Sequence, residues 1–268
     1  MPAIQIARLR AQMVQLMDLY HQPPQFLHAL HDLLDFYTDH TYRPGQAGKV
    51  QSLLPHYKVP LPVIRQIEIE LAPGCLQDPQ AGLDLADELW LDPYFEPRML
   101  AIHLLSLAPV SPPEPVLQRI STWARPEEDR QVMQALITKG AGRLMREQPE
   151  TWSSLVKSWL TSEQTSVQSM GLYALLAIVE DENYQNLPEV YHLVSPLMQG
   201  LPANLQGDLL SVLQALTRRS PAETAYFFRQ ILTLVRDPLI PRLVRRCLPN
   251  FSPETQAGLR AALKSREG

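Results

Sequence analysis

Apolar positions recur along this chain at helical spacing. Leu83, Leu85, Ala86, Leu89 and Trp90 fall on one stripe of a 3.6-residue repeat, and the stretch Met99, Leu100, Ile102, His103, Leu104, Leu107 does the same. Alternating β-branched runs bounded by Asn-Gly or Asp-Gly turns, the signal of a hairpin, do not occur. Proline supplies the punctuation. Asp78-Pro79, Asp92-Pro93, Ser111-Pro112, Ser195-Pro196, Ser220-Pro221, Asp237-Pro238 and Ser252-Pro253 each set a capping residue before a proline, whose missing N–H costs nothing at a first helical position. Ser220-Pro221-Ala222-Glu223 adds the spacing of a capping box. The pattern predicts helices over 3–20, 24–40, 46–57, 61–72, 79–91, 93–108, 112–124, 127–147, 150–160, 163–181, 187–199, 203–219, 221–236, 238–248 and 253–265.

Starts marked in adjacent helices lie 14, 19, 25, 17 and 15 residues apart, so a helix pair occupies about 30 to 45 residues, near the period of HEAT and armadillo repeats. The expected fold is all-α: an armadillo-type α-α solenoid of HEAT-like repeats wound into a superhelix. It is read as a single domain over 1–268, with an N-terminal helical pair over 1–44, repeats over 45–250 and a capping helix over 251–268.

Composition agrees with a folded chain. Hydrophobic residues make up 45% of the 268, more than a disordered segment carries. The longest apolar run, Leu172 to Val179, is far short of the roughly 18 residues that span a bilayer, and residues 1–8 lack the layout of a secretory signal, so no membrane partner and a cytoplasmic location are expected. Cys75 and Cys247 have no CxxC spacing or nearby histidine pair and are read as reduced thiols.

Charge changes the picture more. The net charge of −4 argues against a general polyanion binder. Residues 201–268, however, carry ten Lys+Arg against five Asp+Glu, and residues 1–200 carry 14 against 23. In the basic quarter Arg218 and Arg219 end one predicted helix, and Arg242, Arg245 and Arg246 share a face of another, where guanidinium groups can clamp successive phosphates. Such residues also stabilise helix C-termini, which is the competing reading.

Other constellations weigh less. His28, His31 and Asp35 share a helix face, with His21 one turn away, but the chain lacks HExxH, and no metal site or cofactor is expected. Glu127-Glu128-Asp129 sits where acidic groups oppose a helix dipole. No GxGxxG, GxxxxGK[ST] or GxSxG occurs, which removes phosphate-cradling loops and hydrolase elbows. Trp90, Trp152 and Trp159 read as core.

Tyr57-Lys58-Val59-Pro60-Leu61-Pro62-Val63-Ile64-Arg65-Gln66-Ile67, and Leu85-Ala86-Asp87-Glu88-Leu89-Trp90 followed by Glu96-Pro97-Arg98-Met99-Leu100-Ala101-Ile102-His103-Leu104-Leu105, resemble the AlkD-type bacterial DNA alkylation repair family. Gln214-Ala215-Leu216-Thr217-Arg218-Arg219-Ser220-Pro221 and Arg242-Leu243-Val244-Arg245-Arg246 are similar to that family's C-terminal repeats, so the likeness spans roughly residues 50–255. The resemblance implies HEAT-like repeats around a basic concave groove for duplex DNA and, in active members, metal-free release of N3- and N7-alkylated purines. It also implies three functional positions: an aspartate in Trp-x-x-x-Asp, an arginine in Trp-x-Arg-Arg, and a C-terminal tryptophan before Leu-Arg.

This chain departs from all three. Trp123-Ala124-Arg125-Pro126-Glu127 keeps the first spacing with glutamate for aspartate, and Pro126 would break the shared helix. Val167-Gln168-Ser169-Met170-Gly171 holds no arginine, and Gln214 stands where the tryptophan would. The expectation is a non-catalytic protein that binds nucleic acid or a protein along its concave face. The alternative is an alkylpurine DNA glycosylase using Glu127 and Trp123.

Overall fold

A computed structural model describes residues 6–38, 52–125 and 127–267. Among them every regular element is a helix and there is no strand. The chain divides into two compact units, Met1–Thr151 and Trp152–Gly268.

In the first unit, α1 (Ile6–Met17), α2 (Pro23–Phe36), α3 (Leu61–Gln77), α4 (Pro79–Leu91) and α5 (Phe95–Leu107) precede α6 (Glu114–Trp123) and α7 (Arg130–Ala135), a π-helical turn Leu136–Gly140, and α8 (Gly142–Glu147). Packing runs between neighbours in sequence: α1 on α2 and α3, α3 on α4 and α5, α2 on α4, and α5 on α7, the π turn and α8. The apolar stripe of α4 is buried as its spacing predicts, with Leu85, Ala86 and Leu89 fully covered. Asp78 caps α4 through its side chain, which accepts from the Ala81 N–H at 3.1 Å.

The second unit contains α9 (Pro149–Leu160, whose first residues precede the division), α10 (Thr165–Glu180), α11 (Leu187–Val194) with a 3-10 turn Ser195–Met198, a 3-10 turn Ala203–Leu205, α12 (Gln206–Arg219), α13 (Pro221–Leu234), α14 (Leu239–Cys247) with a 3-10 turn Leu248–Asn250, and α15 (Pro253–Glu267). Here α10 meets α11 and α12, α12 meets α13 and α14, and α13 meets α14 and α15. Each unit therefore shows the neighbour-to-neighbour packing of a helical-repeat fold. Gly171 lets α10 approach α9 closely, since a Cβ there would lie 3.1 Å from the Leu160 backbone nitrogen.

Several expectations are corrected. Residues 46–51 of the helix expected over 46–57 lie outside the described residues, and 52–60 form a strap without helix, in which the N–H groups of Leu53, Tyr57 and Lys58 go to side chains of other elements and that of Leu54 to Ser52 Oγ. The helix expected over 61–72 continues through Pro73 to Gln77, which buries Leu71 and Cys75 on one face. Asp92 is not the N-cap of α5: its Oδ1 accepts from the Tyr94 N–H at 2.8 Å, and the helix begins at Phe95. Neither Ser111 nor Ser195 starts a new helix: α6 begins at Glu114, and Ser195 continues directly from α11. Ser220 is an N-cap by position, but its side chain makes no cap bond.

The helix expected over 127–147 is broken. It starts three residues later, at Arg130, and its π turn, with the Ala141 N–H on the Leu136 carbonyl, brings Gly140 against Ile102 and Leu105 of α5.

Candidate functional site

Trp123 ends α6 and is 4% exposed. Its indole lies parallel to that of Trp90, at the end of α4, with centroids 4.5 Å apart and planes 4° from parallel, so the stack was closed by sequence positions 33 residues apart. Trp152 and Trp159 are buried as well and meet edge to face in the second unit.

Glu127 lies exposed in the turn after Trp123, and Pro126 lies outside the described residues. Its two acidic neighbours are engaged. Glu128 takes Arg98 Nη1 at 2.5 Å, with the two side chains 9% and 18% exposed, and accepts the Asp129 N–H at 3.0 Å. Asp129 is the N-cap of α7: it accepts from the N–H groups of Gln131 and Val132, and its other oxygen takes the Leu53 N–H at 2.9 Å. Burial raises the Asp129 pKa, but hydrogen bonds from Leu53, Ser52, Val132 and Gln131 outweigh it and hold the carboxyl below its ordinary value.

Arg98 connects this turn to a second cluster. Its Nε donates to the Asp92 carbonyl at 2.7 Å, and its guanidinium carbon lies 5.6 Å from the Trp90 ring centroid. The Asp92 side chain, 5% exposed, accepts at 2.8 Å from His31 Nε2. The other ring nitrogen, Nδ1, is hydrogen-bonded to the Tyr57 hydroxyl at 2.6 Å. Burial, followed by the nearby Tyr94, Asp92, Asp35 and Glu96, pushes the Tyr57 phenol up to about 12, which keeps it neutral. Glu96, at the first turn of α5, receives the N–H groups of Tyr57 and Lys58 at 3.1 and 2.9 Å, and Lys58 adopts a left-handed φ of 56° beside it. The result is a hydrogen-bonded network that pins the strap at Leu53 and at Tyr57–Lys58. Sequence reading missed it, because contacts between residues 26 to 76 positions apart, which make up most of it, leave no local pattern.

The histidines expected to share a helix face separate. His31 turns to Asp92, His28 faces Asp32 at 4.0 Å near full exposure, and His21 faces Asp78 at 3.9 Å. Among the described residues no three His, Cys, Asp or Glu side chains are grouped to hold a metal ion. Among the same residues no helix is long and apolar enough to cross a membrane.

The basic residues of the second unit divide by role. On α14, Leu239, Ile240, Leu243, Val244 and Cys247 are buried, which leaves Arg242, Arg245 and Arg246 exposed together on the other face. Arg218 is exposed at the end of α12. Arg219, next to it, turns inward: Nη1 donates to the carbonyls of Ile178, Val179 and Asp181, and Nη2 to those of Glu182 and Tyr184. It therefore caps the C-terminus of α10 and orders the loop behind it, satisfying acceptors that have no partner within the helix.

No curated protein sequence matches the chain. The family model described as DNA alkylation repair enzyme matches residues 47–227, which takes in the strap, the tryptophan stack, the Glu127 turn and Arg218 and Arg219, and ends before α14. With more than half of its length matched, the chain belongs to the DNA alkylation repair enzyme family.

Proposed function

We propose that the chain binds duplex DNA through the arginine face of α14, with Arg218 as an additional contact, and does not excise bases. The observation that carries the reading is the division of α14: apolar residues inward, and Arg242, Arg245 and Arg246 all outward within one turn. Arginines so placed neutralise phosphates without reading sequence. Arg219 is left out, since its guanidinium serves α10. Membership of a DNA repair family makes DNA, rather than an acidic protein, the first polyanion to test.

The case against catalysis rests on the first unit. Base release needs a carboxylate oriented to stabilise a cationic sugar. Glu128 is already neutralised by Arg98, Asp129 is held by N–H groups, and Trp123 is covered by Trp90.

A second reading, alkylpurine release by Glu127, has one observation in its favour: that glutamate is exposed in the turn after Trp123. Duplex DNA carrying 7-methylguanine separates the two. The expected outcome is binding without release of the methylated base; lesion-dependent release that is lost in Glu127→Gln would establish the second reading. Substituting Arg242, Arg245 and Arg246 with alanine is expected to weaken binding to any duplex sequence alike. No binding at low salt would instead point to a protein partner.

A further inference from the structure

The helix that carries the arginine face has little within itself to keep it helical. It spans nine residues, Leu239–Cys247, and so short a helix is marginal without outside support. Arg242 and Arg246 stand four residues apart on its exposed face, a like-charge spacing that opposes the helix. Pro241, in its first turn, has no N–H to donate. The two N–H groups ahead of it both go to Asp237: that of Leu239 to Oδ1 at 2.8 Å, and that of Ile240 to the backbone carbonyl at 3.3 Å.

Asp237 is anchored in turn from two other places. Its Oδ2 accepts the N–H of Gly200 at 2.9 Å, in the segment between the 3-10 turns Ser195–Met198 and Ala203–Leu205, where a φ of 68° suits glycine. Its carbonyl also accepts from Arg266 Nη2 of α15 at 3.0 Å. The N–H groups of Gly200 and Leu239, aided by the Arg266 charge, outweigh burial and hold the carboxyl below its ordinary value. At neutral pH both carboxylate oxygens are therefore acceptors.

We infer that Asp237 is the positioning residue of the arginine face: it ties the start of α14 to the Gly200 segment and to α15, and so sets where Arg242, Arg245 and Arg246 stand. The inference rests on the reading that this face binds duplex DNA, and it adds a residue that touches no phosphate. Its sign is distinctive because Asp237 is an anion. If charge alone mattered, removing it near an arginine face would strengthen binding to a polyanion. If it positions the arginines, removing it weakens binding.

The test is the affinity of an unmodified duplex against salt for the parent, Asp237→Asn and Asp237→Ala, at a temperature where all three are folded, with amide hydrogen exchange alongside. Asparagine has one acceptor oxygen and can keep only one of the two N–H partners of the side chain. Asp237→Ala is expected to bind about fivefold more weakly, the loss of one helix cap read as an affinity, with Asp237→Asn in between. Both variants should show a shallower salt slope and faster exchange at Gly200, Leu239 and Ile240, with α12 unchanged. Should Asp237→Ala not fold, Asp237→Asn carries the same test of sign. Tighter binding by either variant, or affinity and slope equal to the parent's, would overturn the inference. Failure of the DNA reading shows in the parent, which would then bind no duplex and take the inference with it; failure of the inference alone shows in the variants, beside a parent that binds.

Discussion

Gly82 and Asp129 show how single residues fix the first unit. A Cβ on Gly82 would fall 2.8 Å from both Cys75 Sγ and Tyr20 Oη. Cys75 and Tyr20 are 0% and 5% exposed, so neither has space to withdraw. Gly82→Ala is therefore expected to cost about 1–3 kcal/mol in urea denaturation, the usual range for overpacking a core. The buried Tyr20 hydroxyl has no hydrogen-bond partner among the described residues, so Tyr20→Phe should be nearly neutral and should recover part of that loss.

Asp129 acts through charge. Its carboxyl is held below the ordinary aspartate value, so the stability it contributes is fully present above about pH 3.9, the unfolded value, and is lost as pH falls through the lower folded value. Asp129→Ala is expected to cost about 1–2 kcal/mol at neutral pH, as for other N-caps. Measured against pH, the gap to the parent should hold above pH 4 and close below it; a gap that widens on acidification would contradict the assignment.

Among the elements, α4 is the one the sequence describes best. Its proline start, capping aspartate and buried stripe are all local properties, and Pro79–Leu91 matches the expected bounds. The strap over 52–60 is the opposite case. Its apolar residues suggested a helix, yet Pro55 and Pro60 lack an N–H to donate, and the N–H groups of Leu53, Tyr57 and Lys58 bond to carboxylates of α5 and the α7 cap. Nothing within a 15-residue window announces those partners. The candidate site was legible to the same degree. Trp123 and Glu127 stand at the spacing that marks the site in sequence, but Trp90 and Arg98, which decide what surrounds them, come from two other places in the chain.

Arg218 and Arg219 were indistinguishable in sequence and differ in the fold. Arg219 holds the end of α10 through five carbonyls. Arg219→Ala is expected to destabilise the second unit by about 1–3 kcal/mol, since hydrogen bonds to charged groups are lost and several carbonyls are left unmet. Its effect on DNA affinity, measured where both proteins are folded, should be small, whereas Arg218→Ala should leave stability unchanged and weaken binding modestly. The reverse pattern would mean that the two side chains had been assigned the wrong way round.

Across the whole molecule, charge is distributed along the chain and not averaged. Ten of the 24 basic residues lie in the last 68 positions, and three of those ten share the exposed face of α14. A net charge of −4 would keep nonspecific association with polyanions weak, so binding that does occur must come from such a local face. The most direct measurement is duplex DNA affinity as a function of salt, for the parent and for the variant with Arg242, Arg245 and Arg246 changed to alanine. Each phosphate contact contributes about 0.9 to the slope of log affinity against log salt, so the account predicts a steep decline for the parent and a slope shallower by roughly 2.7 for the variant, three contacts' worth. Equal slopes for the two proteins would contradict it.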